Sequence, residues 1–325
     1  MKIGTTFCAR YAENFGLDAK ETFGRILALG LAPIRIGIYW DQVEIEPSVF
    51  DFSNFDWIIK MAESKNVSLI LTLGAKAPRW PEFYAPKFLI KKFNFRYKER
   101  ISNRDFQKHL FVFIRRAIER YKDYKNIRWW QIENEPFDLF GPQKWNFSFD
   151  FIEEEIKFVR SLSKKPIILN TAGVLPYHPL IQKILGYDLR KANCEKLADI
   201  VGFDIYPKIT KKILGQPLLL KAKRSNWEDL AKWKEKAEAL GKKTWVVELQ
   251  AEPWEVVPMN LHDPYANPSC SPKDIEKYLG KLEKIGFNTV LFWGAEFWFA
   301  CAKQGNREWL EGICAILKDF KCNML

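Results

Sequence analysis

The sequence predicts an α/β fold, a single (β/α)8 TIM barrel with enlarged βα loops that takes up residues 1–325. Three observations predict it. Eight apolar segments of β type follow one another along the chain, amphipathic segments of helix type separate them, and the length exceeds the roughly 250 residues that such a barrel needs. Near-continuously apolar strands that alternate with helices are typical of a parallel sheet buried on both faces.

The eight predicted strands are short apolar runs. Their bounds are Ile3–Phe7, Pro33–Ile38, Val67–Leu73, Ile127–Ile132, Pro166–Asn170, Ile200–Ile205, Thr244–Glu248 and Thr289–Trp293. No stretch with the composition of a linker lies between them, so we expect a single domain.

Helix start and stop signals lie between these strands. Capping boxes are predicted at Asp18, Ser225 and Ser271, and helix ends at Gly30, Gly241 and Gly286. The surplus length is expected in loops around Arg79 to Asn103, after the third strand, and after the sixth and seventh strands. An open, doubly wound sheet is the alternative, but no GxGxxG or GxxxxGK[ST] motif follows any strand.

Composition excludes several classes of protein. The chain has 47% hydrophobic and 28% charged residues, which is typical of globular proteins and not of disordered or fibrous ones. The most hydrophobic stretch, Thr289 to Ala302, is too short to cross a bilayer and contains Glu296. The N-terminus runs directly into strand-like sequence and lacks the pattern of a secretion signal, so we expect a cytoplasmic protein without membrane contact.

The six cysteines show neither CxxC spacing nor clustering, which indicates thiols in a reducing compartment. The three histidines, His109, His178 and His262, are too widely separated to predict a histidine-ligated metal. A metal site made of carboxylates alone stays open as an alternative. We expect no metal and no cofactor. The sequence does not predict the oligomeric state.

Polar and aromatic residues follow the ends of several predicted strands, where a barrel of this kind carries its chemistry. Two of them are carboxylates, Glu135 after the fourth strand and Glu248 at the end of the seventh. In a closed barrel these strands would bring the two carboxylates to facing parts of one mouth. A pair of carboxyl groups across a cleft is the minimum equipment for hydrolysing a glycosidic bond, with one group protonated and the other ionised.

These residues resemble the clan A glycoside hydrolases, retaining (β/α)8 enzymes that include the cellulase and β-galactosidase groups. Asn134-Glu135-Pro136 is similar to the Asn-Glu-Pro signature of that clan, which implies that Glu135 is the acid/base and that Asn134 holds the sugar 2-hydroxyl. Glu248 matches the nucleophile of the clan. Arg35 and Tyr206 match residues that hydrogen-bond the nucleophile, and Trp293 matches the tryptophan that floors the −1 sugar site.

The resemblance implies a retaining β-glycosidase that hydrolyses a β-linked oligo- or polysaccharide by double displacement. Arg35 is expected to favour the charged form of Glu248, and a drier setting to favour the protonated form of Glu135. Tryptophan faces stack well on sugar rings. Further substrate-binding candidates after strands are Trp40, Trp80, Gln250, Trp254, Glu296 and Trp298.

Structural interpretations compete with these roles. Asn134-Glu135-Pro136 could mark a helix start, since proline is favoured in the first helical turn. Glu133 and Glu252 are rival carboxylates beside the two candidates, for which structural or surface roles are favoured. Glu296 could bind sugar hydroxyls or pair with a nearby base, and Arg35 could form a buried ion pair.

Two binding functions remain as alternatives. Residues 83–100 interleave basic and aromatic side chains, and the chain carries a net charge of +11 from 51 basic and 40 acidic residues. This pattern could bind single-stranded nucleic acid, but we expect it to line one side of a sugar cleft instead. A catalytically silent sugar-binding barrel is disfavoured because both carboxylates and their supporting residues are present.

Overall fold

The computed structural model describes residues 1–177, 193–263 and 266–322, without the side chains of residues 321 and 322. In these residues the strands are β1 (Lys2–Phe7), β2 (Ile34–Gly37), β3 (Glu44–Glu46), β4 (Val49–Phe50), β5 (Leu69–Leu73), β6 (Ile127–Ile132), β7 (Ile167–Val174), β8 (Ile200–Ile205), β9 (Lys208–Ile213), β10 (Gln216–Lys221), β11 (Lys243–Gln250) and β12 (Thr289–Trp293).

The helices of the described residues lie mostly between these strands. They are α1 (Ala9–Asn14), α2 (Ala19–Ala28), α3 (Trp40–Val43), α4 (Ser53–Ser64), α5 (Lys87–Phe93), α6 (Arg104–Tyr121), α7 (Phe149–Leu162), α8 (Cys194–Leu197), α9 (Arg224–Ala239), α10 (Pro272–Ile285), α11 (Ala295–Lys303) and α12 (Glu308–Cys322).

Eight strands close into a barrel, in the order β1-β12-β11-β8-β7-β6-β5-β2. Neighbouring strands pair in parallel, as β5 with β6 and β11 with β12 do. Every residue of β7 and β8 is buried, as expected for strands covered on both faces. The predicted (β/α)8 barrel is confirmed, and the open-sheet alternative is wrong.

All eight predicted strands are present, with small differences in their bounds. The largest differences are at β7, which continues four residues beyond Asn170 to Val174, and at β11, which continues two residues beyond Glu248 to Gln250. The added residues of both strands are buried, although they follow polar side chains that end the apolar pattern in the sequence. Glu248 is therefore the antepenultimate residue of its strand.

Two of the three predicted capping boxes begin helices. The carboxylate of Asp18 accepts from the backbone N–H of Glu21 at 2.7 Å, and the hydroxyl of Ser271 accepts from that of Asp274 at 3.3 Å. The prediction at Ser225 is wrong, because α9 begins at Arg224 and its N-cap residue is Lys223. There the side chain of Asn226 accepts from the backbone N–H of Lys223 at 2.8 Å.

The predicted helix ends are also confirmed. Gly286 ends α10 with a φ of 91°, in the left-handed region that glycine enters without steric cost. Gly30 and Gly241 follow the ends of α2 and α9 with φ of 71° and 74°.

The described residues group into two compact units. The first comprises residues 1–34, 173–177 and those from 203 onward, and the second comprises residues 35–172 and 193–202. The assignment of residues 1–325 to one catalytic domain stays a prediction. Within the second unit, residues 74–103 form the enlarged loop predicted after β5 and contain α5. Within the first, the hairpin β9–β10 follows β8, and a long loop, 251–271, follows β11.

Among the described residues, no helix combines the length and the apolar character that crossing a membrane would require. Of the cysteines, Cys8, Cys194, Cys270, Cys301 and Cys314 carry thiols, as predicted. The side chain of Cys322 lies outside the described part of the chain. The cytoplasmic location stays a prediction.

Candidate active site

Glu135 lies three residues beyond the end of β6, in the second unit, and its side chain is buried. Glu133 and Glu135 have positive φ values of 56° and 44°, a conformation that residues other than glycine rarely adopt. The chain thus turns sharply as it leaves the barrel. No helix begins at Pro136, and the next one, α7, starts only at Phe149. The interpretation of this tripeptide as a helix start is therefore wrong.

Asn170, on β7, holds the residues around Glu135 in place. Its Oδ1 accepts from the backbone N–H of Glu135 at 2.9 Å and from Nε2 of Gln131 at 3.0 Å. Its Nδ2 donates to Oδ1 of Asn134 at 3.0 Å, and Gln131 donates to the same oxygen at 3.3 Å. Because the oxygen of Asn134 is used in this network, its amide N–H groups are the ones that can donate to a ligand.

Lys76 is a buried cation in the loop after β5. Its Nζ donates to the backbone carbonyl oxygens of Glu135 at 2.7 Å and Asp138 at 2.9 Å. The carboxylate of Asp138 accepts from Oγ1 of Thr171 at 3.1 Å and from the backbone N–H of Ala172 at 3.2 Å. Burial raises the pKa of Asp138 to about 6, against the opposing effect of the Lys76 charge and these two hydrogen bonds.

Glu133 has no accessible surface, and its carboxylate accepts from the backbone N–H groups of Ala75 at 2.8 Å and Lys76 at 2.5 Å. Burial raises the pKa of Glu133 to about 7, although both N–H groups and the Lys76 charge lower it. Glu155, on α7, is also fully buried. Burial, followed by repulsion from Glu133, raises the pKa of Glu155 well above its ordinary value. Glu155 is therefore the protonated member of this pair.

Arg35, on β2, is fully buried, and its Nη1 donates to Oε1 of Gln131 at 3.3 Å. Gln131 in turn contacts Asn134 and Asn170, so Arg35 belongs to the network beneath Glu135. The contact of Arg35 with the nucleophile, which the resemblance implies, stays a prediction.

The two tryptophans predicted as subsite walls in the second unit differ in exposure. Trp40 has no accessible surface, stacks on Phe113 with ring centroids 5.5 Å apart, and donates from Nε1 to Glu44 at 2.7 Å. It packs in the interior of this unit, and its role toward a sugar stays a prediction. Trp80 is 69% exposed and free to stack on a ligand.

In the first unit, β8 and β11 bring Tyr206 and Glu248 together. The hydroxyl of Tyr206 donates to Oε2 of Glu248 at 2.6 Å, and both residues are buried. This bond holds the Glu248 carboxyl group in one orientation. The hydrogen bond that the resemblance implies between these residues is present, while the role of Glu248 as nucleophile stays a prediction.

Aromatic rings surround Tyr206. Trp254 packs edge-on against it with ring centroids 4.8 Å apart and is 40% exposed, and the half-buried Trp293 lies at 6.4 Å. Both can present a face to a ligand. Trp298 is fully buried and donates from Nε1 to the carbonyl oxygen of Ala251 at 2.6 Å. Its role as a substrate-binding residue stays a prediction.

The side-chain amide of Gln250 is used to hold loops together. Its Nε2 donates to the carbonyl oxygens of Lys208 at 2.7 Å and Ser269 at 3.4 Å, and its Oε1 accepts from the N–H of Lys208 at 3.3 Å. The binding of substrate by Gln250 stays a prediction. Glu296 is fully buried, and its Oε1 accepts from the backbone N–H of Cys8 at 2.6 Å. Its role toward a sugar stays a prediction.

The rival carboxylates have structural partners. Glu133 binds the loop after β5, and Oε2 of Glu252 accepts from the hydroxyl of Tyr11 at 3.3 Å. These contacts support the structural roles favoured from the sequence. Within the part of the chain that the structure describes, no three His, Cys, Asp or Glu side chains lie close enough together to hold a metal ion.

The basic and aromatic segment 83–100 has two different sides. Phe83 and Phe95 pack on Phe106 and Trp145, with ring centroids 4.5 to 6.1 Å apart. Tyr97 and the lysines and arginines of the segment are exposed. The rings of segment 83–100 that could stack on a base or a sugar are thus used largely for internal packing. This favours neither nucleic-acid binding by the segment nor its role as one side of a sugar cleft.

Among the residues of the network around Glu135 that sequence reasoning missed are Asn170 and Lys76. Asn170 is only the end of a predicted strand in the sequence analysis, and Lys76 lies in the predicted loop beyond the third strand. A positional signal for Asn170 does exist, since a polar residue that interrupts an apolar barrel strand points to a polar partner inside the barrel. The long-range contacts of Lys76 leave no such signal.

The buried carboxyl groups predict how stability depends on pH. Glu133 and Glu155 bind protons in the folded chain at pH values where the unfolded chain has released them, so the free energy of unfolding falls as pH rises from about 4.5 towards 7 and above. Each unit of raised pKa corresponds to about 1.4 kcal/mol. Glu155→Gln replaces the protonated carboxyl with a neutral amide of the same shape and should reduce this fall.

Urea unfolding at pH 5 and pH 8 measures the effect. The matched control is Glu154→Gln, a neighbouring exposed residue that pairs with Arg104 at 2.6 Å. We expect Glu155→Gln to lose less stability than the parent between the two pH values, and the control to follow the parent. An unchanged pH dependence in Glu155→Gln would contradict the electrostatic account of this pair.

Three comparisons with known proteins bear on this site. Residues 17–141 match the sequence model of the glycoside hydrolase 42 family, described as beta-galactosidase. No curated protein matches the chain. Three solved β-galactosidases have a similar fold: those from the Antarctic haloarchaeon Halorubrum lacusprofundi (TM-score 0.62, 14% identity), the psychrophilic Marinomonas ef1 (0.64, 12%) and Rahnella sp. R3 (0.64, 13%).

These structures cover 90%, 99% and 90% of this chain, whereas the chain covers only 52%, 60% and 50% of theirs. The chain thus spans about half to three fifths of their length. At these identities the likeness shows the barrel fold alone. Together with the family match, it agrees with the resemblance drawn from the sequence and supports a glycoside hydrolase.

Proposed function

We propose that this chain, with the barrel of the glycoside hydrolases and a match to one of their families, is a retaining β-glycosidase. Glu248 is its nucleophile and Glu135 its general acid and base. The observation that carries the proposal is the 2.6 Å hydrogen bond from Tyr206 to a buried Glu248, because it orients a carboxyl group near the end of a barrel strand.

The reaction proceeds by double displacement. In the first step the carboxylate of Glu248 attacks the anomeric carbon, and the bond to the leaving oxygen breaks while Glu135 gives that oxygen its proton. In the second step Glu135 takes a proton from water, the water oxygen attacks the same carbon, and the bond to Glu248 breaks. Two inversions at one carbon retain its configuration.

Neighbouring residues serve this reaction in distinct ways. Asn134 can donate its amide N–H groups to a sugar hydroxyl, since its oxygen is held by Asn170 and Gln131. Trp254 and Trp293, whose rings lie near Tyr206, offer faces on which a sugar can stack. Trp80, which is 69% exposed, is the candidate for a further sugar-binding position.

The proposed substrate class is the β-galactosides. The matched family model and the three similar structures all carry β-galactosidase in their descriptions. A screen of aryl β-glycosides tests this, with the anomer of the first product followed by NMR. We expect cleavage of the β-galactoside and release of the β-anomer. Release of the α-anomer, or no cleavage of any glycoside, would contradict the proposal.

Replacing Tyr206 with phenylalanine should slow the reaction without removing the nucleophile. The variant loses the hydrogen bond to Glu248 and keeps the ring that packs on Trp254. A hydrogen bond to a charged group contributes about 1.5–3 kcal/mol, so kcat/KM should fall by about 10- to 100-fold. Steady-state kinetics on an aryl β-galactoside measure this. Tyr11→Phe, which loses the 3.3 Å bond to Glu252, is the control and should stay near the parent rate.

A further inference from the structure

We propose that Lys76 and Glu133 form a clamp that positions Glu135, so that the clamp determines how well Glu135 transfers a proton. The inference rests on the proposed function, because it assigns to Glu135 the role of acid and base. Lys76 and Glu133 would then be positioning residues, which act through Glu135 without touching the substrate.

Four hydrogen bonds define the clamp, and all of them join residues 75–76 to residues 133–135. Glu133 accepts from the backbone N–H groups of Ala75 and Lys76, at 2.8 and 2.5 Å. The carbonyl oxygen of Lys76 accepts from the backbone N–H of Asn134 at 3.0 Å, and its Nζ donates to the carbonyl oxygen of Glu135 at 2.7 Å. Lys76 thus bonds to three successive residues that end at the proposed acid.

The backbone at Glu133 and Glu135 needs such a restraint. Both residues lie in the left-handed region, with φ of 56° and 44°. For residues with a side chain this conformation costs about 1–2 kcal/mol each and persists only where surrounding contacts impose it. Without the clamp, residues 133–135 would relax towards ordinary backbone angles and Glu135 would shift. A displacement of about 1 Å at a catalytic group can lower a rate by about 100-fold.

The loop after β5 is shaped to receive the Glu133 carboxylate. A Cβ atom at Gly74 would lie 2.4 Å from Cδ of Glu133, closer than real contacts allow, and Gly74 has a φ of 146°. Only glycine fits there. The chain therefore leaves space at one residue for a carboxylate that arrives from the next strand, and the two residues that follow Gly74 supply the N–H donors.

The charges of the clamp also match. Lys76 is 1% exposed, and its ammonium lowers the pKa of both Glu133 and Asp138. A buried ammonium without such partners would be costly. Glutamine at position 133 cannot replace the carboxylate, since its amide nitrogen would face one of the two N–H groups and could not accept from it. Glu133→Gln should therefore open one side of the clamp while changing the side-chain volume little.

The experiment compares leaving groups, because only a poor leaving group needs a proton from Glu135. Glu133→Gln and Lys76→Met in the full chain are assayed on phenyl and 2,4-dinitrophenyl β-galactosides. We expect kcat/KM on the phenyl glycoside to fall by about 10- to 100-fold, while kcat/KM on the dinitrophenyl glycoside changes by less than about threefold, because kcat/KM reports only the first step and not the second, in which Glu135 acts as base on either substrate.

The control is Asn126→Ala, which removes a buried hydrogen bond to the carbonyl oxygen of Ile59 away from the site. It should lower the free energy of unfolding and leave the ratio between the two substrates unchanged. If the clamp variants lower kcat/KM equally on the phenyl and the dinitrophenyl glycoside, their role is structural and the inference is wrong. If either variant fails to fold, it is replaced by Glu133→Asp or Lys76→Arg, which keep the charge and alter the geometry. These variants should show the same selective loss on the phenyl glycoside.

Failure of the inference is distinguishable from failure of the proposed function. If Glu135 is the acid, Glu135→Gln should lose activity on the phenyl glycoside selectively. A selective loss in Glu135→Gln with none in Glu133→Gln overturns the clamp alone. No selective loss in Glu135→Gln overturns the assignment of the acid, and the clamp with it.

Discussion

Glu248→Ala is expected to reduce the turnover of an aryl β-galactoside by about 10⁵-fold, the size of loss seen when a covalent nucleophile is removed. Without its carboxylate the enzyme cannot form the glycosyl intermediate, and the hydroxyl of Tyr206 loses its acceptor. Steady-state kinetics on purified variant and parent measure the loss.

Azide makes this test specific to the nucleophile. The anion fits the space left by the carboxylate and can attack the anomeric carbon, so Glu248→Ala with azide should give the glycosyl azide of inverted configuration. The control is Glu255→Gln, a carboxylate in the loop after β11 that accepts from Oγ of Ser269 at 2.5 Å. It should keep the parent rate. Full activity in Glu248→Ala would show that another group is the nucleophile.

Glu135→Ala is expected to act selectively. General acid catalysis contributes about 10²- to 10⁴-fold, so cleavage of a phenyl β-galactoside should fall by that factor. The first step on a dinitrophenyl glycoside needs no proton and should proceed near the parent rate, which a pre-steady-state burst of dinitrophenol would reveal. Glu119→Gln, on the exposed side of α6, serves as the control. Equal losses on both substrates would contradict the role of Glu135 as acid.

The barrel could be predicted because its signal is local and repeated. Buried parallel strands must be apolar on both faces, so Ile127–Ile132 and Ile200–Ile205 have bounds in the structure identical to those predicted. Helix ends such as Gly286 are also determined by a few neighbouring residues. Because a barrel of this kind has its chemistry at the carboxyl ends of its strands, the strand positions also predicted Glu135 and Glu248 as site residues.

What the sequence could not predict depends on contacts between distant segments. Trp40 and Trp298 follow strands as subsite residues do, but the rings and carbonyl groups that bury them come from elsewhere in the chain. Gln250 follows a strand too, yet its amide joins two loops. α9 starts at Arg224 because the side chain of Asn226 accepts from the backbone N–H of Lys223. No pattern along the chain distinguishes these outcomes.

The central claim is that Glu248 forms a covalent bond to the sugar while Glu135 moves the proton. Incubation with a 2-deoxy-2-fluoro-β-galactoside that carries an activated leaving group tests it most directly, since the fluorine slows the second step and the glycosyl-enzyme accumulates. Mass spectrometry of the digested protein should then find one fluorosugar, attached to the peptide that contains Glu248. A label on any other residue, or hydrolysis that proceeds with inversion and never leaves a label, would contradict the account.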